Sequence, residues 1–424
     1  MARIYYSLYD RLLRAETLKE AFRKVKKAKG APGIDGQTIA DYAAGLEEET
    51  CRLLRELKDK TYRPQAVRRK EIDKPDGGIR LLGIPTVRDR VVQQALNDIL
   101  VPIFDPYFHP SSYGYRKNCN AHDAIAKAAA FMRRYGLSHV VDMDLSKCFD
   151  TLDHELIIKA VRKRVADGTV LTLIRRFLES GVMTGDEVEK TEEGSPQGGV
   201  ISPLLANIYL DSFDQFMRRR GHRIVRYADD ILIFKGSRRS AENAMQVASD
   251  YLENTLKLTV NRRKTHLTAL WKGVSYLGVE IHPRYIRIKP EKLKSFKEKV
   301  KTITRRNTPV NLEKVISELN PVLRGFANYF RICNCKNELR HLMCWVRHRL
   351  RAIQLKLWKK PAKLHRRLRQ LGYNRNFRQI KMQSWRNAAC QLAHWAMPNA
   401  WFRQLGIIDL ETLEVGVLPE INFG

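Results

Sequence analysis

Acidic residues, paired cysteines and long apolar runs are all scarce in this chain, and each shortage removes a class of protein. Its 46 Asp and Glu face 77 Lys and Arg, a formal charge of +31 with a pI near 10.0. Such an excess attracts polyanions, nucleic acid first and an anionic membrane second. The seven cysteines contain no Cys-x-x-Cys pair. Cys333, Cys335 and Cys344 lie close in sequence but lack a fourth ligand, so reduced structural thiols are expected rather than a zinc site. No apolar run approaches the roughly 20 residues that span a bilayer, and the first residues carry no signal-peptide core. A soluble, cytoplasmic protein without a membrane partner is expected. At 424 residues it has room for several subdomains.

What is present centres on Arg226-Tyr227-Ala228-Asp229-Asp230, set between Ile224-Val225 and Ile231-Leu232-Ile233-Phe234. Two β-branched and aromatic runs joined by Ala-Asp-Asp predict a tight hairpin that presents two adjacent carboxylates. Aspartate also favours plain turns, but this one has no glycine and is flanked by strands. A second strand, His139-Val140-Val141-Asp142-Met143-Asp144-Leu145, alternates so that Asp142 and Asp144 share one side. Carboxylates on apolar strands are costly unless cations pair with them. Three of them from sequence-distant strands suit phosphoryl transfer between two divalent ions, and hard oxygen ligands favour magnesium over zinc.

Around this pair the chain reads as helices and loops. Thr17 to Ala28 predicts a basic amphipathic helix, followed by a loop rich in glycine from Gly30 to Gly36. Arg68 to Leu82 predicts a hairpin around Asp76-Gly77-Gly78, its arms carrying Lys74 and Arg80. These are suited to a triphosphate or to protecting an edge strand by charge. A helix is expected from Arg88 to Leu100, ended by the Pro102 segment, and another from His122 to Tyr135. Gly194-Ser195-Pro196-Gln197-Gly198-Gly199 leads to Ser202-Pro203-Leu204-Leu205, a glycine loop feeding a helix with Ser202 as N-cap and Pro203 at its first position. In the last third, Leu312, Val315, Ile316 and Leu319 form a stripe expected to break at Pro321, and a helix through Trp345 to Lys360 is interrupted by Pro361. From Leu339 to Ile408 sixteen Lys or Arg occur without one Asp or Glu. A run of one sign, interleaved with Trp345, Trp358, Tyr373 and Trp385, argues for a phosphate-binding surface. Each tryptophan by itself reads as core packing between helices.

Asp144 followed five residues later by Phe149, with Tyr-Ala-Asp-Asp downstream, resembles the palm of a reverse transcriptase. Ser-Pro-Gln-Gly-Gly followed by Ser-Pro-Leu-Leu is similar to the enzymes encoded by bacterial group II introns, and Leu319 to Phe330 to their maturase segment. The resemblance implies an RNA-directed DNA polymerase in which Asp144, Asp229 and Asp230 are catalytic and hold two Mg²⁺, for which Mn²⁺ can substitute. It implies that Phe149 excludes a ribose 2′-hydroxyl, that Gln197 contacts nucleotide and template, and that Lys74 and Arg80 grip the triphosphate. Lys264, in Leu258 to Thr265, stands where a proton donor to pyrophosphate would, or is a solvated lysine. Tyr276-Leu277-Gly278-Val279 looks like the family's primer-side strand. Arg347, Arg349, Arg351, Lys359, Lys360, Arg366 and Arg367 are candidates to bind intron RNA. Implied partners are intron RNA, an RNA template with DNA or RNA primer, target DNA and deoxynucleotides, in a nucleoid- or RNA-associated bacterial protein. Tyr113-Gly114-Tyr115-Arg116 lacks the Pro and Gly that usually follow, and no His-Asn-His nuclease segment follows the maturase-like part, as in endonuclease-lacking members.

The expected fold class is α+β, a right-hand polymerase followed by an α-helical thumb. The limits read as 1–110 for an N-terminal extension and fingers, 111–284 for the rest of the fingers and the palm, 285–385 for thumb and maturase domain, and 386–424 for a basic, DNA-binding-like tail. Two alternatives stay open: an intron-derived enzyme recruited to defence or repair, and an RNA-binding splicing factor with a dispensable polymerase.

Overall fold

The computed structural model describes residues 3–73, 78–184, 187–189, 194, 198–307 and 310–421; for residues 80, 184 and 187–189 it describes only the backbone. The chain divides into two compact units, one running to Leu270 and the other Trp271–Glu420. Among the described residues no helix is long and apolar enough to cross a membrane.

In the first unit, strands β1 (Val67–Asp73) and β2 (Ile79–Ile84) form the expected basic hairpin, with Asp73 paired to Ile79. The short β4 (Val182–Thr184) adds to β1 in parallel and β5 (Glu187–Glu189) extends it, giving the order β2-β1-β4-β5. A second sheet is built from β3 (His139–Met143), β6 (Arg223–Tyr227), β7 (Asp230–Lys235) and β8 (His266–Ala269) in the antiparallel order β6-β7-β3-β8. Period-two alternation gives each strand two faces. Val141, Met143, Ile231 and Ile233 join one core with Leu205, Tyr209 and Phe213 of helix Ser202–Arg219. On the other face Val140 pairs with Phe234, which meets Phe131 of helix Ala121–Arg134 edge-on, while the far end of that face carries the carboxylates.

The second unit holds a three-stranded sheet, β9 (Val274–Tyr276), β10 (Val279–Ile281) and β11 (Ile286–Ile288), in the order β11-β10-β9. Leu277 and Gly278 both have positive φ in the β9–β10 turn, the requirement of a type I′ hairpin. Helices Pro290–Ile303, Leu312–Phe330, Lys336–Trp358 and Pro361–Gln370 follow.

Three expectations about helix ends are corrected. Helix Val87–Phe104 runs one turn past Leu100, and helix Leu312–Phe330 passes straight through Pro321. A proline removes one backbone hydrogen bond, but Ile103 and Phe104 in the first case, and Leu319, Leu323 and Phe326 in the second, bury the flanking turns. Ser202 is not an N-cap; Ile201 is, without a side-chain bond. The loop donors before the helix go instead to Gln93, whose Oε1 accepts from Val200 N at 2.7 Å. Pro361 does end the preceding helix and opens the next, with Lys359 at φ 62 between them. Residues after 385 bond to the helices before them: Gly416 N donates to the carbonyl of Arg331, just past helix Leu312–Phe330, and Lys336 Nζ, at the start of helix Lys336–Trp358, to Leu413 O.

Candidate active site on the central sheet

The Tyr-Ala-Asp-Asp stretch forms the hairpin that joins β6 to β7. Tyr227 pairs with Asp230, leaving Ala228 and Asp229 as a two-residue turn. Ala228 takes φ 60, a region that side-chain-bearing residues seldom occupy and that II′ turns demand at this position. Across the sheet Met143 pairs with Ile231. In antiparallel register the next residue of β3 and the preceding residue of β7 then stand opposite, so Asp144 faces Asp230 with Asp229 beside it. Like charges directly opposite repel. Burial first, then Asp229, Asp144 and Asp142, push the Asp230 carboxyl up to about 7, with Lys264 opposing. All three catalytic candidates are half-buried.

Asp144 is held by two neighbours from the next segment. Asn261 donates from Nδ2 to Asp144 Oδ2 at 2.9 Å, its backbone N–H reaches Asp144 O at 2.9 Å, and Lys264 Nζ lies 3.7 Å from the same carboxylate. Asp142 shares the face, 3.8 Å from His266 Nε2. Phe149 is buried and meets the exposed Tyr115 ring edge-on at 6.1 Å. Below the turn, Cys148 is pushed up to about 12 by burial and Asp229, so it is an inert thiol. Among the described residues no group of three ligating side chains is already closed around an ion position. Asn261 and Lys264 both lie on Asp144 Oδ2. The donor set nonetheless fits a hard divalent cation: oxygens only, crowded enough that one carboxyl stays half-protonated near neutrality.

Gly198 packs against the first sheet. A side chain on Gly198, at φ +120, would meet Gly83 O at 2.4 Å, so only glycine allows that approach. Gln197 and Lys74 lie outside the described residues; Arg80 occupies β2 opposite Ile72. Arg116 holds its loop by an ion pair to Asp105 at 2.7 Å and a bond to Ser112 O at 2.8 Å, without the usual Pro and Gly.

In the second unit the basic run splits. Arg347 and Arg351 are buried: Arg347 pairs with Glu411 and Asp409, and Arg351 donates to Met397 O and Asn399 Oδ1. Arg349 bonds Thr304 and lies 4.8 Å from the Trp385 ring centre. All three have partners within the protein, and Arg349 is half-buried. Lys359, Lys360 and Arg366 are exposed and Arg367 half-exposed.

The family model described as reverse transcriptase (RNA-dependent DNA polymerase) matches residues 72–281, and that of the group II intron maturase-specific domain matches 293–372. Protein YkfC of Escherichia coli (strain K12) is 36% identical over 312 residues, covering 63% of this chain and 82% of that protein. The chain belongs to the group II intron reverse transcriptase–maturase family. This reverse transcriptase is also 30% identical over 350 residues to the group II intron-encoded protein LtrA of Lactococcus lactis subsp. cremoris, across 66% of its own length. It spans 57% of LtrA and 37% of the putative COX1/OXI3 intron 2 protein of Saccharomyces cerevisiae, which is 26% identical. Among solved structures, telomerase from Candida albicans with a fragment of telomeric RNA aligns at TM-score 0.43 and 12% identity over 74% of this chain and 63% of that one, a likeness too loose to define the fold. The family implies nucleic-acid substrates and divalent metal ions.

Two features of this reverse transcriptase escaped the sequence reading. Asn261 is bonded to Asp144, and nothing but its place in the chain hinted at it. Arg226 is fully buried in β6. An arginine in the middle of an apolar strand was a legible signal, because a buried charge needs an acid nearby.

Proposed function

We propose that this protein copies RNA into DNA, with Asp144, Asp229 and Asp230 holding two Mg²⁺ ions, or Mn²⁺ in their place. The observation that carries the reading is the register that sets Asp144 opposite Asp230, with Asp229 next to it on the turn. When bound, such ions activate a primer 3′-hydroxyl and neutralise charge developing on the α-phosphate of a deoxynucleotide as pyrophosphate leaves. Asn261 orients Asp144 toward them, and Lys264 stands where its ammonium can donate a proton to the leaving oxygens. Phe149, wedged by Tyr115, presses on the sugar and rejects a 2′-hydroxyl. Lys74 and Arg80 bind the triphosphate and Gln197 the nucleotide and template.

A second activity is assistance to the parent intron RNA in folding and splicing, and later engagement of target DNA. The match to the maturase-specific domain contains Lys359, Lys360, Arg366 and Arg367, whose exposed charges suit phosphates. The deciding experiment is extension of a primer annealed to RNA with deoxynucleotides and Mg²⁺. Extension by the parent protein, its loss in Asp229→Ala and retained RNA binding in that variant are expected; a folded parent that extends nothing would overturn the polymerase reading.

A further inference from the structure

The catalytic turn is held from beneath by a buried charge. Arg226 of β6 and Asp214 of helix Ser202–Arg219 are both fully buried. The guanidinium donates from Nε to both Asp214 oxygens at 2.9 Å and from Nη2 to Oδ2 at 2.7 Å. Its Nη1 reaches Asn207 Oδ1 at 3.1 Å and the carbonyl of Ala228 at 3.0 Å. Asn207 donates in turn to Gly114 O at 2.8 Å, and Gly114 lies so close that a side chain there would meet Ala228 N at 2.3 Å. The loop is also stitched to β6 directly, Arg226 N donating to Ser111 O and Tyr113 N to Arg226 O, each at 2.9 Å.

Stability alone does not call for this arrangement. Desolvation offsets most of the attraction in a buried Arg–Asp pair, and apolar residues of similar volume often replace one without loss. An apolar pair, however, cannot hydrogen-bond the Ala228 carbonyl. That carbonyl belongs to the peptide whose nitrogen is Asp229's, in a turn whose first residue sits at φ 60. A strained residue persists only where its surroundings over-determine it. Here the guanidinium holds the Ala228–Asp229 peptide by its carbonyl, and Gly114 abuts the peptide before it, Tyr227–Ala228, so Ala228 is fixed on both sides.

We propose that Arg226, braced by Asp214 and Asn207, is a positioning residue: it sets the plane of the Ala228–Asp229 peptide and so the direction in which the Asp229 carboxylate meets a divalent ion. The inference rests on the two-ion reading above. It assigns the ion pair to geometry at the site rather than to the stability of the fold.

The test uses the full chain with Arg226→Lys and with the double substitution Arg226→Met, Asp214→Leu. Thermal unfolding reports the fold, electron paramagnetic resonance reports Mn²⁺ binding, and primer extension reports kcat and KM. The double variant should melt within about 5 °C of the parent, bind Mn²⁺ about tenfold more weakly and lose about tenfold or more in kcat, with KM for deoxynucleotide changed less than about threefold. Arg226→Lys keeps a charge for Asp214 but lacks the planar fork that also reaches Ala228, so it should fall between. A folded double variant with parental Mn²⁺ affinity and kcat overturns the inference. Should that variant fail to fold, parental Mn²⁺ affinity and kcat in Arg226→Lys overturn it equally. A parent protein that neither binds Mn²⁺ nor extends a primer refutes the two-ion reading itself, and this inference with it.

Discussion

The central sheet of the first unit and the basic helices of the second use charge in opposite ways. In the sheet, like-charged carboxylates are brought face to face by strand register, and Asp230 is held near 7 by that crowding. In the helices a single-signed run looks uniform in sequence but divides in space, Arg347 and Arg351 turning inward to protein partners while Lys359, Lys360 and Arg366 stay exposed. Period-two geometry lets each strand residue be assigned a face from sequence alone. A helix carrying cations all round offers no such parity, because an arginine can reach an acid supplied from far along the chain. For Arg347 those acids are Asp409 and Glu411.

The sharpest way to break this contrast is Asp229→Ala. Loss of an ion ligand should lower the extension rate by about 10³-fold or more, while RNA affinity, measured by filter binding, stays within about twofold. Equal loss of both in a folded variant would join what the comparison separates. Next in size is Arg347→Ala, which takes the guanidinium from Glu411 and leaves Asp409 with Arg403 alone. Removing one partner of a buried pair costs about 3 kcal/mol or more, read as a fall in the denaturant midpoint of the second unit. Lys359→Ala should change the unfolding free energy by less than about 0.5 kcal/mol, leaving that midpoint almost in place. If both substitutions were equally mild, the inward and outward classes would merge.

Smaller still is the joint replacement of Lys359, Lys360 and Arg366 by alanine. RNA affinity should fall, and the slope of log affinity against log salt should flatten by about 2, near 0.7 per lost phosphate contact. An unchanged slope would move the RNA surface elsewhere. The smallest effect concerns protons. Because the Asp230 pKa is raised, the ion-free protein holds an extra proton at pH 6 that a bound cation must expel. Calorimetry of Mn²⁺ binding in buffers of different ionisation enthalpy should show release of about one proton or less at pH 6, declining toward zero above pH 8. The same sign means that Asp230 detracts from ion-free stability as pH rises from about 4 through 7, and that divalent ions reverse the loss. Proton uptake, or release that grows with pH, would contradict the crowded-carboxylate account.

Much of the candidate site was legible from residues. The strand alternation of His139 to Leu145 and the hairpin at Ala228-Asp229 survive in the structure because both rest on local periodicity. The helices run past Pro102 and Pro321, since a single missing hydrogen bond is outweighed by burial that local sequence does not reveal. Ser202 failed as a cap because Gln93, far away in the chain, takes the loop's donors.

Sequence by itself determined the charge, the parity of the carboxylates along their strands and the family, since each of these is carried by neighbouring residues. Only tertiary structure decided that Asp144 stands across from Asp230, that Asn261 holds Asp144, and that Arg226 reaches beneath the turn to Asp214. Such choices depend on which distant groups arrive within about 3 Å of one another, the range over which a hydrogen bond acts.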